Sequence, residues 1–68
     1  MPKEVKNPEE FVRISERAVE CRVVKLEDEG VAKVKARTKR YLYIIKIPLS
    51  QLEEFIKKLK CQNIKFIE

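Results

Sequence analysis

Apolar positions along this chain of 68 residues change their spacing from segment to segment, and each spacing points to an element. Phe11, Ile14 and Ala18 recur at helical intervals, with Val12 and Val19 beside them. Asn7-Pro8-Glu9-Glu10 precedes that stripe, with Asn7 placed as N-cap, Pro8 at the first helical position and Glu10 in a capping box. A helix is therefore expected from Pro8 to about Arg17–Val19. Cys21 to Glu27 then reads as a strand, with Cys21, Val23 and Lys25 on one side and Arg22, Val24 and Leu26 on the other. Asp28-Glu29-Gly30 holds the single glycine and suits a tight hairpin loop.

Val31 to Arg37 alternates without a break: Ala32, Val34 and Ala36 face one way, Lys33, Lys35 and Arg37 the other. Thr38-Lys39-Arg40 is a short connection. Tyr41 to Ile47 is the most β-prone segment, with Tyr41, Tyr43, Ile45 and Ile47 on one face, and Pro48 stops it. Ser50-Gln51-Leu52-Glu53 forms a second capping box, so the next helix is expected to be capped by Ser50. Leu52, Phe55, Ile56 and Leu59 give that helix its apolar stripe, and Lys57, Lys58 and Lys60 gather at its end. Asn63 to Ile67 reads as a short last strand. The expected fold is a single small α+β domain over residues 1–68, in the order α-β-β-β-α-β. Its antiparallel sheet would carry both helices on one face.

Composition sharpens this picture through charge. Sixteen Lys and Arg stand against eleven Asp and Glu, for a net charge of +5. The excess is clustered: Gly30 to Leu52 contains no acidic residue but holds Lys33, Lys35, Arg37, Lys39, Arg40 and Lys46. Alternate strand residues stand about 7 Å apart, so Lys33, Lys35 and Arg37 make a row that can follow a phosphate backbone. The same row would also suit the solvated outer face of a sheet, where edge lysines discourage aggregation. Tyr41 and Tyr43 beside the basic turn can stack on unpaired bases or pack into the core. Glu27-Asp28-Glu29 would repel phosphate and is expected to point away from it, or towards a basic protein neighbour.

Other chemistries find little support. The chain has no His to serve as a base near neutral pH, no Gly-rich phosphate loop and no paired carboxylates, so it does not read as an enzyme. Cys21 and Cys61 cannot make a zinc site by themselves and are read as free thiols, with a disulfide as the alternative. No cofactor, metal, small-molecule substrate or membrane partner is expected. No apolar run approaches the length of a transmembrane helix, and the polar start lacks a secretory pattern.

Met1-Pro2-Lys3-Glu4-Val5, followed by Glu10-Phe11, resembles the opening of the ribosomal L38e family. Lys33-x-Lys35-x-Arg37-x-x-Arg40-Tyr41-Leu42-Tyr43 is similar to that family's most distinctive segment, and Lys57-Lys58-Leu59 fits as well. The resemblance runs over nearly the whole chain. It implies a structural constituent of an archaeal or eukaryotic large ribosomal subunit, located on cytoplasmic ribosomes. Its partners would be large-subunit rRNA and neighbouring ribosomal proteins. The RNA contacts it implies are Lys3, Lys33, Lys35, Arg37, Lys39, Arg40 and Tyr41, with Pro2 beside Lys3 in the N-terminal arm. Two departures limit what carries over: the hairpin tip Glu27-Asp28-Glu29 is acidic, and Cys61-Gln62-Asn63 replaces a proline-containing turn. Two other readings remain open at this stage. One is a free protein-interaction module using its apolar sheet face or the strand Leu42–Ile47. The other is a DNA-binding β-ribbon using Lys33–Arg37.

Overall fold

The computed structural model describes residues 2–67, with Pro2 described in its backbone alone. Seven elements follow one another: β1 (Pro2–Glu4), α1 (Pro8–Ser15), β2 (Glu20–Leu26), β3 (Val31–Arg37), β4 (Leu42–Pro48), α2 (Leu49–Lys58) and β5 (Ile64–Ile67). The strands make one sheet in the order β1-β4-β3-β2-β5. The central three form an antiparallel meander, whereas β1 lies parallel to β4 and β5 parallel to β2. The expectation of an antiparallel sheet is therefore corrected to a mixed sheet of five strands. The physical reason lies in the connections. A helix between two strands returns the chain to its starting end, so the strand that follows runs in the original direction. Here α1 links β1 to β2 and α2 links β4 to β5, leaving β3 as the strand that opposes the other four. The α+β class with two helices stands, and the element order gains β1 at its start.

Burial follows the sheet's alternation. Cys21 and Val23 of β2, Ala32, Val34 and Ala36 of β3, and Ile45 and Ile47 of β4 turn to one side. Phe11 of α1 and Leu52 and Phe55 of α2 close over them. The Phe11 and Phe55 rings meet at 5.7 Å between centroids and 39° between planes. Alanines at positions 32 and 36 of the central strand leave room for side chains of that size. The opposite side of the sheet carries no helix.

The caps show local chemistry at work. Asn7 accepts the Glu9 N–H through its side chain at 2.9 Å, and Pro8 needs no partner for a missing N–H. Helix α1 ends at Ser15, earlier than the apolar stripe implies. The N–H groups of Glu16, Arg17 and Ala18 reach back three residues to Arg13, Ile14 and Ser15, tightening the chain so that Val19 can donate to the Arg37 carbonyl at 2.8 Å. Helix α2 begins at Leu49 and is not capped by Ser50; no side chain caps it. Its first N–H, from Leu49, is accepted by the Gly30 carbonyl at 3.1 Å. A tertiary contact thus replaces the capping box, and β4 runs into α2 without a loop. Gly30 itself sits at φ +69°, the left-handed region that closes the hairpin.

Candidate nucleic-acid interface

The helix-free side of the sheet gathers the cations. Lys33, Lys35 and Arg37 project from β3 as the alternation requires. Their cross-strand partners extend the set: Lys33 stands opposite Lys46 of β4, Lys35 opposite Arg22 of β2, and Arg22 in turn opposite Lys65 of β5. Register partners share a face, so six cations occupy one surface. Glu4 and Glu20 are the carboxylates at the same level, in register with Ile44 and Arg37. Like charges directly opposite one another are destabilising, at a few tenths of a kcal/mol to about 1 kcal/mol per pair. Two such pairs, Lys33 with Lys46 and Lys35 with Arg22, therefore weaken the free sheet unless an anion lies over them, whereas Arg22 and Lys65 share the Glu20 carboxylate.

Glu20 offers a partial internal counter-charge. Its carboxylate accepts from Lys65 Nζ at 2.9 Å and lies 3.5 Å from Arg22 Nη2. The Lys65 hydrogen bond, with smaller help from Arg22, holds the Glu20 carboxyl below its usual range. Lys33, Lys35, Arg37 and Lys46 have no ion-pair partner among the described residues.

The turn 38–41 is built by Thr38. Its hydroxyl donates to the Tyr41 carbonyl at 2.8 Å and accepts the Tyr41 N–H at 3.0 Å, while its own N–H donates to that carbonyl at 2.9 Å. Lys39 and Arg40 are thereby held outwards at the tip, both exposed. Beneath it, a hollow of about 360 Å³ is lined by Arg22, Lys35, Arg37, Lys39 and Arg40, with Glu20 as its acidic member.

Not every residue expected at the site shares this surface. Lys3 belongs to the helix side, and Tyr41, at the edge of the sheet, lines hollows on both sides of the turn. Lys3 is in register with Tyr43, and its ammonium sits 3.9 Å from the Tyr41 ring centroid. Tyr43 packs partly against the core, while Tyr41 is 42% exposed. The structure thus brings Lys33, Lys35 and Arg37 together, puts Lys39, Arg40 and Tyr41 at their rim, and sets Lys3 around the corner. Of Pro2, the side chain lies outside the described residues.

Arg22 and Lys65 are not singled out by the sequence, and Lys46 enters there only as a member of the acid-free stretch. Alternation alone puts Arg22 and Lys46 on the polar faces of their strands. Lys65 needed the parallel pairing of β5 with β2, which no local pattern announces. Elsewhere, Lys60 pairs with Glu16 at 2.9 Å, and the acidic tip Glu27-Asp28-Glu29 stands exposed. Among the described residues no cluster of three metal-ligating side chains occurs, and no helix is long and apolar enough to cross a membrane.

No protein-family model matches the chain. It is similar to a protein of Aeropyrum pernix named large ribosomal subunit protein eL38. The two are 52% identical over 66 residues, which covers 94% of this chain and 96% of that protein.

Proposed function

From the premise that the chain belongs to the eL38 family of large ribosomal subunit proteins, we propose that it holds rRNA on the helix-free face of its sheet. It is a structural constituent of the large subunit of cytoplasmic ribosomes and not an enzyme. What the residues add is how the grip works. The observation that carries it is the set of opposed like charges, Lys33 with Lys46 and Lys35 with Arg22, flanked by Arg37 and Lys65 on the same face. Phosphates laid over this lattice turn cross-strand repulsion into attraction and release counterions as they bind. Arg37 extends the contact to the end of β3, and the turn cations Lys39 and Arg40 stand at its rim. A stiff sheet reads the shape of the backbone and its 2′-hydroxyls, not base edges, as expected for folded RNA.

Acid–base geometry supports the same orientation. The tip Glu27-Asp28-Glu29 closes the β2–β3 hairpin, while the turn 38–41 closes β3–β4 at the other end of β3. RNA against the basic turn therefore keeps clear of the acidic tip.

The reading of a protein-interaction module loses its apolar sheet face, which is covered by α1 and α2. The edge of β4 away from β3 is paired with β1 over Leu42–Ile44.

The test is salt-dependent binding of the purified protein to large-subunit rRNA. Replacing Lys35 and Arg37 together by Ala removes two phosphate contacts. It should lower the slope of log K against log salt by roughly 2 and weaken binding at low salt, with the circular dichroism spectrum unchanged. A variant with wild-type affinity and slope would remove the sheet face from the account.

A further inference from the structure

Chain order runs the cations of β3 straight on into Lys39, Arg40 and Tyr41, and the fold makes that turn a ridge with a hollow on either side, Arg22, Lys35 and Arg37 lining the one and Ile14, Arg17 and Tyr43 the other. Arg37 is in register with Leu42, on the helix-free side, whereas Tyr43 is in register with Lys3 on the other. On that second side is an open cleft of about 500 Å³. This lies within the roughly 300–1,000 Å³ span of small-ligand sites. Its apolar lining comes from Ile14 of α1 and from Tyr41 and Tyr43, and its rim from Arg17, Lys39 and Arg40. No carboxylate lines it.

The aromatic pair is held before any ligand arrives. The Tyr41 and Tyr43 rings meet edge to face, 6.1 Å between centroids and 67° between planes. The Lys3 ammonium braces the Tyr41 ring from 3.9 Å. An exposed aromatic ring ringed by cations is the arrangement that holds a single unpaired base with its phosphate. A duplex could not use it, because the base must be free of its stack to reach the ring.

We propose that this cleft is a second RNA site, which takes one unpaired nucleotide with its base on Tyr41 and its phosphate among Arg17, Lys39 and Arg40. The proposal rests on the rRNA-binding reading above and adds that two RNA segments are held at once, with the turn 38–41 as the ridge between them. The protein then acts as a clip. A backbone lies along the sheet, and a flipped nucleotide from a second segment is caught behind the turn.

The experiment uses the full chain, a blunt 12-base-pair RNA duplex and a five-nucleotide single-stranded RNA. The chain has two Tyr and no Trp, so its intrinsic emission reports on Tyr41 and Tyr43. The expected result is that the oligonucleotide quenches this emission, and still does so when the duplex is saturating. Tyr41→Ala, and separately Arg17→Ala, should weaken the oligonucleotide about tenfold, and Arg17→Ala, at a residue that lines only the second cleft, should leave the duplex unaffected. Lys35→Ala with Arg37→Ala should do the reverse. Competition between oligonucleotide and duplex for one site would overturn the proposal, as would a Tyr41→Ala variant that binds the oligonucleotide like wild type. Duplex binding with no oligonucleotide binding would overturn the cleft and leave the sheet face standing. Failure to bind either RNA would overturn both.

Discussion

At the scale of single residues, two thiols illustrate how position decides chemistry. Cys21 is fully buried on β2, while Cys61 is half-buried, and both are free. The Asn63 carbonyl ties them to one spot: it accepts the Cys21 N–H at 2.8 Å and the Cys61 thiol at 3.3 Å. Burial, with a hydrogen bond to Cys61 behind it, pushes the Cys21 thiol far above its ordinary value of 9.0. The folded protein thus keeps a proton that the unfolded chain gives up above that value. Stability should accordingly fall as pH rises past about 9, by as much as 1.4 kcal/mol per unit for one group. Urea unfolding at pH 8 and pH 10 checks this, and Cys21→Ala should lose that part of the slope. Iodoacetamide should alkylate Cys61 in the native protein and Cys21 only after unfolding. Equal rates at both sites would contradict the buried placement.

At the scale of elements, the joints matter more than the strands. Ser15, at the last turn of α1, is fully buried. Its hydroxyl donates to the Val12 carbonyl and accepts the Lys60 N–H at 3.0 Å, fastening the end of α1 to the chain leaving α2. Ser15→Ala strands that N–H at a partly buried joint and should cost about 1–3 kcal/mol in chemical denaturation. A change within a few tenths would mean that water replaces the hydroxyl freely. Nothing in the periodicity near Ser15 marks it, since its value lies in a partner 45 positions away. The same holds for the start of α2, where the Gly30 carbonyl does the work expected of Ser50. Strand β1 has three residues, Pro2–Glu4, and no apolar alternation. It exists because β4 offers it an edge, and because Val5 is buried just beyond, its N–H donating to the Ile44 carbonyl at 2.8 Å. By contrast, β3 was legible to the residue. Its two faces differ completely, with three cations against two alanines and a valine, so a strand was the one element that could separate them.

For the whole molecule, the division of labour is between faces. One side of the sheet is sealed by two helices, and the other gathers six cations from four strands. The sequence carried the central row of that surface in Lys33, Lys35 and Arg37, along with the acid-free stretch around it. It could not carry the flanks, because the neighbours of a strand are set by topology. The two parallel outer strands were the part of the topology that local patterns hid. For the same reason the chain order does not show that the turn at Thr38 sets Tyr41 on the ridge, lining the hollows on both sides.

The most direct measurement is acetylation of lysines in the intact large subunit and in the free protein, quantified residue by residue by mass spectrometry. If rRNA lies on the helix-free face, Lys33, Lys35, Lys46 and Lys65 are protected in the subunit and regain their reactivity after nuclease treatment. Lys57 and Lys58, on the exposed side of α2, then react alike in both states. Protection of Lys57 and Lys58 with the four sheet lysines left reactive would put the RNA on the helices and contradict the account.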